Sequence, residues 1–414
     1  MCEATPGDHA STREDAKPST LFDLSTHTFL VCEEIALRPV TTEDAPWTTS
    51  WRESSFPFSP STTETWIEEE IGGDAGNPYL VVRKADGRPV GSLKLDGTFP
   101  GRHARVFIDP LFGERATAWK AEVFRLLVPW QIVEKHIPIL HTGMTDDDPT
   151  LLDALRAMGW RETARFPRLA WSERRQDWAD HLMLEYLNPQ WVSMLGDPND
   201  EPLERSGLST PRPVPAPVPA PENPPKQAIM IGERVYLRPL NKDDALPISE
   251  LSRQEPDAIW SIGRRIYSPA GYAGWTNHLQ KDDPQTWVRF AICLRESDEV
   301  IGSLGLAGIR YIPGFAETES EINRAEYRAG GYGSEAKHLL FEYAFNRLGL
   351  HAVHSWVAFP NTRSAAALRK QGYTESGRMN WAYPLNGGFG NAVVFTLHAD
   401  DWRAMPRQER TAIG

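Results

Sequence analysis

The chain carries one order of motifs twice, and that repeat limits what it can fold into. Leu37-Arg38-Pro39-Val40 with Glu43-Asp44-Ala45 recurs as Leu237-Arg238-Pro239-Leu240 with Asp243-Asp244-Ala245, an offset of 237 − 37 = 200. Val90-Gly91-Ser92-Leu93 recurs as Ile301-Gly302-Ser303-Leu304, at 302 − 91 = 211. Gly159-Trp160 with Glu162 and Arg165 recurs as Gly372-Tyr373 with Glu375 and Arg378, at 372 − 159 = 213, and Trp191 pairs with Trp402 at 402 − 191 = 211. Four matches in one order, drifting by 213 − 200 = 13 residues, read as a duplicated domain and not as a solenoid of short repeats. A chain of 414 residues has room for two such cores.

Between the copies, Ser206 to Gln227 holds Pro211, Pro213, Pro215, Pro217, Pro219, Pro221, Pro224 and Pro225. Prolines this dense supply few ladder donors and favour polyproline II, at about 3.1 Å per residue. The expectation is a semi-rigid spacer outside either core; a ligand for a Pro-recognising module is the alternative. The boundaries read as a disordered lead over 1–26, a first domain over 27–195, a linker over 196–228 and a second domain over 229–408.

A net charge of −12 without a concentrated basic face argues against a nucleic-acid partner and is compatible with a cationic amine substrate. No run approaches the roughly 18 apolar residues of a membrane span, and Met1–Thr20 lacks the apolar core of a signal peptide. Cys2, Cys32 and Cys293 have neither metal-ligand spacing nor the pattern of a disulfide framework, so a reducing cytoplasm and no metal are expected. The sequence gives no sign of oligomeric state.

In the second copy, alternation predicts strands over 234–239, 288–294, 300–306, 318–323, 351–357 and 392–397. Helices are expected over 243–253, 334–348 and 361–371, the last ended by Gly372. The fold class is therefore α/β, with a mixed, mostly antiparallel central sheet flanked by helices in each copy. Tyr327-Arg328-Ala329-Gly330-Gly331-Tyr332-Gly333-Ser334-Glu335-Ala336 stands between a strand and a helix start. A Gly-rich turn there leaves backbone N–H groups pointing outward, and with the helix dipole these suit a pyrophosphate; an ordinary loop is the plainer reading.

Arg328, Gly331 and Gly333 with Ser334-Glu335-Ala336 form Arg-x-x-Gly-x-Gly, which resembles the acyl-coenzyme-A motif of the GNAT superfamily. The segment looks most like the Rim-type branch, which acetylates protein N-terminal and small-molecule amines. Asn361-Thr362-Arg363-Ser364 with Leu368 and Gln371-Gly372-Tyr373 is similar to that branch's second motif, and the resemblance covers roughly 232–402. It implies that the backbone of Arg328, Gly330, Gly331, Tyr332, Gly333 and Ser334 cradles the donor's pyrophosphate. It further implies that an N–H near Ile322 or Asn323 polarises the thioester carbonyl and that Asn361 binds the pantetheine arm. Other members use a Tyr seven residues after this Asn; Leu368 stands there, so Ser364 is taken as the proton donor to the thiolate. Its plainer reading is a first-turn helix residue satisfying a backbone N–H.

Glu319 and Glu321, two apart on a strand, share a face and are the candidate bases, Glu321 the favoured one; a solvated face is the alternative. His351 and His354, three apart, point to opposite faces and form no metal pair. Aromatic residues in 262–274 and 380–390 are core or line an acceptor pocket.

In the first copy the Arg position is Gly113, the first Gly is Glu114 and the second is Ala116, while the Asn and Ser positions are Asp148 and Leu151. The carboxylate of Glu114 would repel a pyrophosphate. Asp146-Asp147-Asp148 reads as a cap for the following helix more readily than as a cation site. The expected activity is transfer of an acetyl or longer acyl group from acyl-CoA, or from an acyl carrier protein, to a primary amine, with a peptide or protein N-terminus foremost. A small-molecule amine acceptor and a non-catalytic acyl-CoA sensor are the alternatives.

Overall fold

In the computed structural model, the described residues are 30–48, 59–72, 78–98, 103–108, 115–172, 174–203, 210–216, 218–219, 221–244, 268, 270–271, 274, 284–385 and 387–408. They divide into two compact units. The first holds the described residues up to 97 with 104–136 and 153–158; the second holds 98–103, 137–152 and everything from 159 on.

Strands of the first unit run in the order β1 (Leu30–Val31), β2 (Ile35–Pro39), β3 (Pro78–Arg83), β4 (Pro89–Thr98), β5 (His103–Ile108). Ala36, Leu80 and Val82 pack with Ile67 of helix α1 (Pro60–Gly72). Asp44, in a single 3-10 turn, accepts both guanidinium arms of Arg38 at 2.7 and 2.6 Å and the Thr41 N–H at 2.8 Å. Helix α2 (Ala116–Val128) widens into a π-helical segment at Pro129–Glu134.

The second unit's sheet follows the order β6 (Ile139–Thr145), β8 (Asp177–Leu187), β7 (Arg161–Ser172), β15 (Thr374–Leu385), β16 (Gly388–His398), β14 (Ala352–Ala358), β13 (Phe315–Ile322), β12 (Val300–Arg310), β11 (Val288–Leu294), β10 (Val235–Pro239), β9 (Met230–Ile231). Of the described strand pairs in it, β13–β14 alone is parallel. Helix α3 (Pro189–Leu195) follows β8, α4 (Tyr332–Phe341) links β13 to β14, α5 (Thr362–Lys370) follows β14, and α6 (Ala399–Ala404) follows β16. The main core lies under α4, where Ala336, Leu340 and Phe341 meet Val235, Leu237, Ile292, Leu304, Ala316, Val353 and Phe395. Two features of the first unit reappear here. Asp244 accepts both arms of Arg238 at 2.8 and 2.7 Å and the Asn241 N–H at 2.9 Å. Helix α4 widens into a π-helical segment at Glu342–Arg347, and 342 − 129 = 213, the offset of the Gly-Trp motif.

The two units do not follow the boundary expected at 195. Strands β6 to β8 cluster with the C-terminal half because β7 pairs with β15, Ala164 opposite Gly377. The two positions are 377 − 164 = 213 residues apart, the offset of the Gly-Trp motif. Glu185, fully buried on β8, accepts the Asn380 N–H at 3.1 Å and Nδ2 at 2.9 Å. Arg378 donates to the carbonyls of Asn199 at 3.2 Å and Glu201 at 2.6 Å, so the turn after α3 is tied to β15 as well.

Nor is the Pro-rich run wholly a spacer. Val214, 4% exposed, belongs to the main core; its N–H donates to the Pro406 carbonyl at 2.8 Å and its carbonyl accepts from Gln408 at 2.9 Å. Alternating prolines leave every second N–H free to donate, which lets this extended segment dock as a strap. Residues 380–390 belong to the β15–β16 hairpin, with Asn380 and Trp381 buried. Most of the expected helix 243–253 and most of 262–274 lie outside the described residues.

Candidate active site

The Gly-rich turn is built by two left-handed residues. Ala329 has φ 63° and Gly331 φ 86°, and Gly331 is the N-cap of α4. The first intrahelical bond is Glu335 N–H to the Gly331 carbonyl at 3.0 Å, so the N–H groups of Tyr332, Gly333 and Ser334 precede it at the positive end of the helix. Gly333 lies against Ile322, where a Cβ would meet the Ile322 Cγ1 at 3.3 Å.

Arg328 braces this turn from below. Its Nε donates to the Ile322 carbonyl at 2.9 Å and its Nη2 to the Asn323 carbonyl at 3.2 Å. Arg234 and Glu335, to which the sequence assigned no role, brace it from the side. The buried Glu335 carboxylate accepts the Arg234 N–H at 2.8 Å and its Nε at 2.9 Å. Arg234 Nη1 donates to the Gly330 carbonyl at 2.9 Å, and its guanidinium lies 4.5 Å from the Tyr332 ring centroid. A cation is thereby fixed beside the anion-suited turn. An Arg next to a strand start carried no distinguishing pattern in the sequence.

Strands β13 and β14 pair over three residues, Phe315–Glu317 with Ala352–His354, and then part. At the parting point side chains replace the backbone ladder: Thr318 Oγ1 donates to the His354 carbonyl at 3.2 Å and Ser355 Oγ to the Thr318 carbonyl at 3.1 Å. Beyond it a gap opens between 319–322 and 356–361. Asn323 N–H donates to the Ile301 carbonyl at 3.0 Å, and Gly302 stands opposite Ile322. In an antiparallel ladder that phase turns the Ile322 N–H away from β12, toward the gap. Of the two expected carbonyl-polarising donors, Asn323 N–H is therefore already engaged and Ile322 N–H faces the open side. The Asn323 carboxamide, 8% exposed, has neither polar atom hydrogen-bonded among the described residues.

Ala316 lies in the core under α4 and Ile322 beside Gly333, so alternation puts Glu317, Glu319 and Glu321 on the other face. Glu319 is ion-paired to the buried Arg289 guanidinium. Glu317 stands 3.9 Å from His354 Nε2. Burial, with a smaller push from His181, carries the His354 imidazole down to about 4, so it is neutral near pH 7. His351 lies before β14 and stacks on Trp178 at 3.8 Å.

Across the gap, Asn361 caps α5, its Oδ1 accepting the Ser364 N–H at 3.2 Å. Ser364 is half-buried in the first turn, and Leu368 is a core residue. Asn361 thus has a structural duty through its oxygen. The Ser334 hydroxyl accepts from Gln371 Nε2 at 3.5 Å.

Gly113 and Glu114, the positions expected to correspond to Arg328 and Gly331, lie outside the described residues. Asp148 Oδ1 accepts the Leu151 N–H at 3.1 Å, the capping arrangement expected of it. Asp146 accepts from Arg175 at 2.8 Å, and Asp147 from Thr145 and Ser172. Among the described residues no helix is long and apolar enough to cross a membrane.

A family profile described as an acetyltransferase (GNAT) domain matches residues 234–374, the span from β10 through the turn to the start of β15. Residues 234–374, in the C-terminal half of the chain, thus carry a GNAT acetyltransferase domain. An uncharacterized N-acetyltransferase, p20, of Bacillus licheniformis is 30% identical over 109 residues, 26% of this chain; the chain spans 61% of that relative's length. The probable N-acetyltransferase YjcK of Bacillus subtilis is 28% identical over 182 residues, 41% of this chain and 97% of its own. Among solved structures, the ribosomal-protein-S5-alanine acetyltransferase of Vibrio fischeri is 19% identical with a TM-score of 0.38, covering 42% of this chain and 97% of its own. A spermidine N-acetyltransferase of Vibrio cholerae, solved with CoA and spermine, is 21% identical with a TM-score of 0.37, covering 41% and 98%. Likenesses this loose do not inform the acceptor.

Proposed function

We propose that the C-terminal domain transfers an acetyl or longer acyl group from acyl-CoA to a primary amine by direct attack, with a peptide or protein N-terminal amine as the foremost acceptor. The observation that carries this reading is the placement of the Arg328–Ser334 turn at the mouth of the gap opened where β13 leaves β14. Backbone N–H groups of Tyr332, Gly333 and Ser334 take the pyrophosphate, with Arg234 adding charge. The donor supplies an acyl thioester, which lies along β13. Glu321 accepts the proton of the incoming ammonium, directly or through a water. An α-amine, with an ordinary pKa of about 8, needs less help than a lysine. Ile322 N–H stabilises charge as it develops on the carbonyl oxygen, and the Ser364 hydroxyl supplies a proton to the departing thiolate. Glu319, ion-paired with Arg289, is the second candidate base.

We further read the chain as a tandem duplication whose first copy keeps the fold without donor chemistry. The shared Arg–Asp clasp, the shared π-helical widening and the four motif matches in one order support the duplication. Its last strands then serve to brace the β15–β16 hairpin of the second copy.

Calorimetric titration of acetyl-CoA into the wild type, Gly331→Glu and Glu114→Gly, with a free-thiol assay over an amine panel, tests the reading. One site lost in Gly331→Glu and kept in Glu114→Gly is expected, with thiol released in the presence of peptide amines. Binding without turnover on any amine would favour a sensor. No binding by the wild type would remove acyl-CoA as the donor.

A further inference from the structure

On the face of β14 turned away from α4, cover by neighbouring strands ends at one residue. Ala352 of β14 and Val394 of β16 share an apolar cluster with Ala164, Phe166 and Leu169 of β7. His354, two residues on, is walled by the rings of Phe166 and Phe315, their centroids 6.1 and 6.0 Å away, and by Glu317 at 3.9 Å. Trp356 comes next on that face, and it is 41% exposed. Among the described residues its indole has neither a ring contact nor a hydrogen bond.

The register says where that bare ring lies. Strands β13 and β14 pair as far as Glu317 opposite His354, so Trp356 is the first β14 side chain on this face beyond the parting point. It stands level with Glu319 and one step before Glu321, across the gap from both. The Glu319 carboxylate is drawn the other way, over β12 to Arg289. What borders Trp356 on its own side is apolar or neutral. Val394 stands opposite it on β16 and is 2% exposed; Ala358 follows it on the same face and is 3% exposed. The His354 imidazole before it is uncharged near pH 7. A bare indole at the margin of a buried apolar cluster is completed best by another apolar group. A cation laid on the ring would find the level carboxylate, Glu319, already ion-paired.

We propose that Trp356 is a specificity-determining residue of the acceptor site, selecting primary amines that carry an apolar group on the amine-bearing carbon. With the amine directed at Glu321 and the thioester along β13, that group is left on the β14 side of the gap, against the indole. For a peptide acceptor it is the side chain of the first residue, leucine or phenylalanine in preference to glycine. The proposal rests on the transferase reading above and adds to it the class of acceptor.

The test measures kcat/KM, with acetyl-CoA as donor, for tripeptides ending in Gly-Gly and beginning with phenylalanine, leucine, lysine or glycine. Phenethylamine against ethylamine makes the same comparison without a peptide. The wild type is expected to favour the phenylalanine and leucine peptides over the glycine peptide, and phenethylamine over ethylamine, by about tenfold or more. Trp356→Thr and Trp356→Gln are each expected to bring that ratio to within about twofold of one, chiefly through KM, while Trp356→Phe retains most of it. Either of the first two suffices if the other fails to fold. The KM for acetyl-CoA should stay within about twofold of wild type, which reports a folded domain and an intact donor site. Wild-type turnover without the apolar preference, or a preference that persists without the aromatic ring, overturns the proposal. A wild type that favours the lysine peptide, with that preference lost in Trp356→Thr, overturns it in favour of a cation on the indole. Each of these results leaves the transferase reading standing, whereas a wild type that turns over no amine overturns both.

Discussion

Arg289 and Glu319 lie on strands β11 and β13 and form an ion pair across the intervening β12. The register explains how: Arg289 stands opposite Gly305, and Gly305 opposite Glu319. With no side chain at Gly305 the two reach each other over the strand between them. Of the two candidate bases, Glu319 thus has a structural contact. Glu319→Gln is expected to lower stability by about 1–3 kcal/mol, because the largely buried Arg289 loses an ion-pair partner. Glu321→Gln is expected to lower kcat by about a hundredfold or more, the range of a lost general base. Urea titration and steady-state kinetics on both variants check this. The opposite assignment, with Glu319→Gln the slower enzyme at unchanged stability, would return the base to Glu319.

The turn that holds the donor depends on a residue outside its motif. Arg234 bridges Glu335 and the Gly330 carbonyl and lies against Tyr332. Arg234→Ala removes a charge-assisted contact to the turn and a cation fixed beside it. Donor affinity is expected to fall about tenfold, from the loss of roughly 1.5 kcal/mol. Because the cation acts on the pyrophosphate and not on the acceptor, the acceptor KM at saturating donor should stay within about twofold. Calorimetry at low and moderate salt measures the first, and initial rates the second.

Much of the C-terminal half was legible because its signals are local. Alternation placed the strands at 235–239, 288–294 and 352–358 to within a residue or two, and glycine chemistry located the turn. What escaped depends on contacts distant in sequence. Arg289 gave no sign of its partnership, since the role of Gly305 appears only once three strands are in register. Lys337 broke an apolar stripe, but a stripe tolerates one polar residue at its margin, so spacing alone did not reveal its burial. Strand β15 was legible at its start, after Gly372-Tyr373, but not along its course: Thr374-Glu375-Ser376-Gly377 has few apolar residues, and it is held by β16 on one side and β7 on the other. The strap at Val214 was hidden by the prolines around it.

Lys337 makes stability depend on pH in a defined direction. Its amine falls from 10.5 to about 7 on folding, burial being the cause and Glu319 and Glu317 the opposing pull. Between about pH 7 and 10.5 the unfolded chain binds the additional proton, so stability from this group rises with pH across that window. Below about 7 both states are protonated and the penalty is complete; above 10.5 neither is, and it vanishes. Lys337→Met should therefore exceed the wild type in urea midpoint most at about pH 6.5, and the difference should shrink steadily toward about pH 10. A difference that does not vary with pH would mean that the amine stays charged in the folded protein.

The seam between β7 and β15 makes the sharpest demand on a single residue. Gly377 has φ 139°, which L side chains rarely adopt, and a Cβ there would lie 2.2 Å from the Thr163 carbonyl oxygen and 2.5 Å from the Ala164 Cα. These are backbone atoms of a paired strand and cannot step aside as a flexible side chain would. Gly377→Ala should therefore separate β7 from β15, at a cost of about 2–4 kcal/mol from strain and lost pairing. The consequence should reach the acceptor side, because the contacts of Asn380 with Glu185, and of Arg378 with Asn199 and Glu201, hold the same hairpin. The donor turn on α4 lies outside this seam. Gly377→Ala is thus expected to lower the melting temperature and raise the acceptor KM several-fold while acetyl-CoA binding stays near wild type. Amide exchange would locate the loss, with faster exchange in β7 and β15 and unchanged protection in β12. A variant that loses donor and acceptor binding equally would show that the seam supports the whole domain and not its acceptor side.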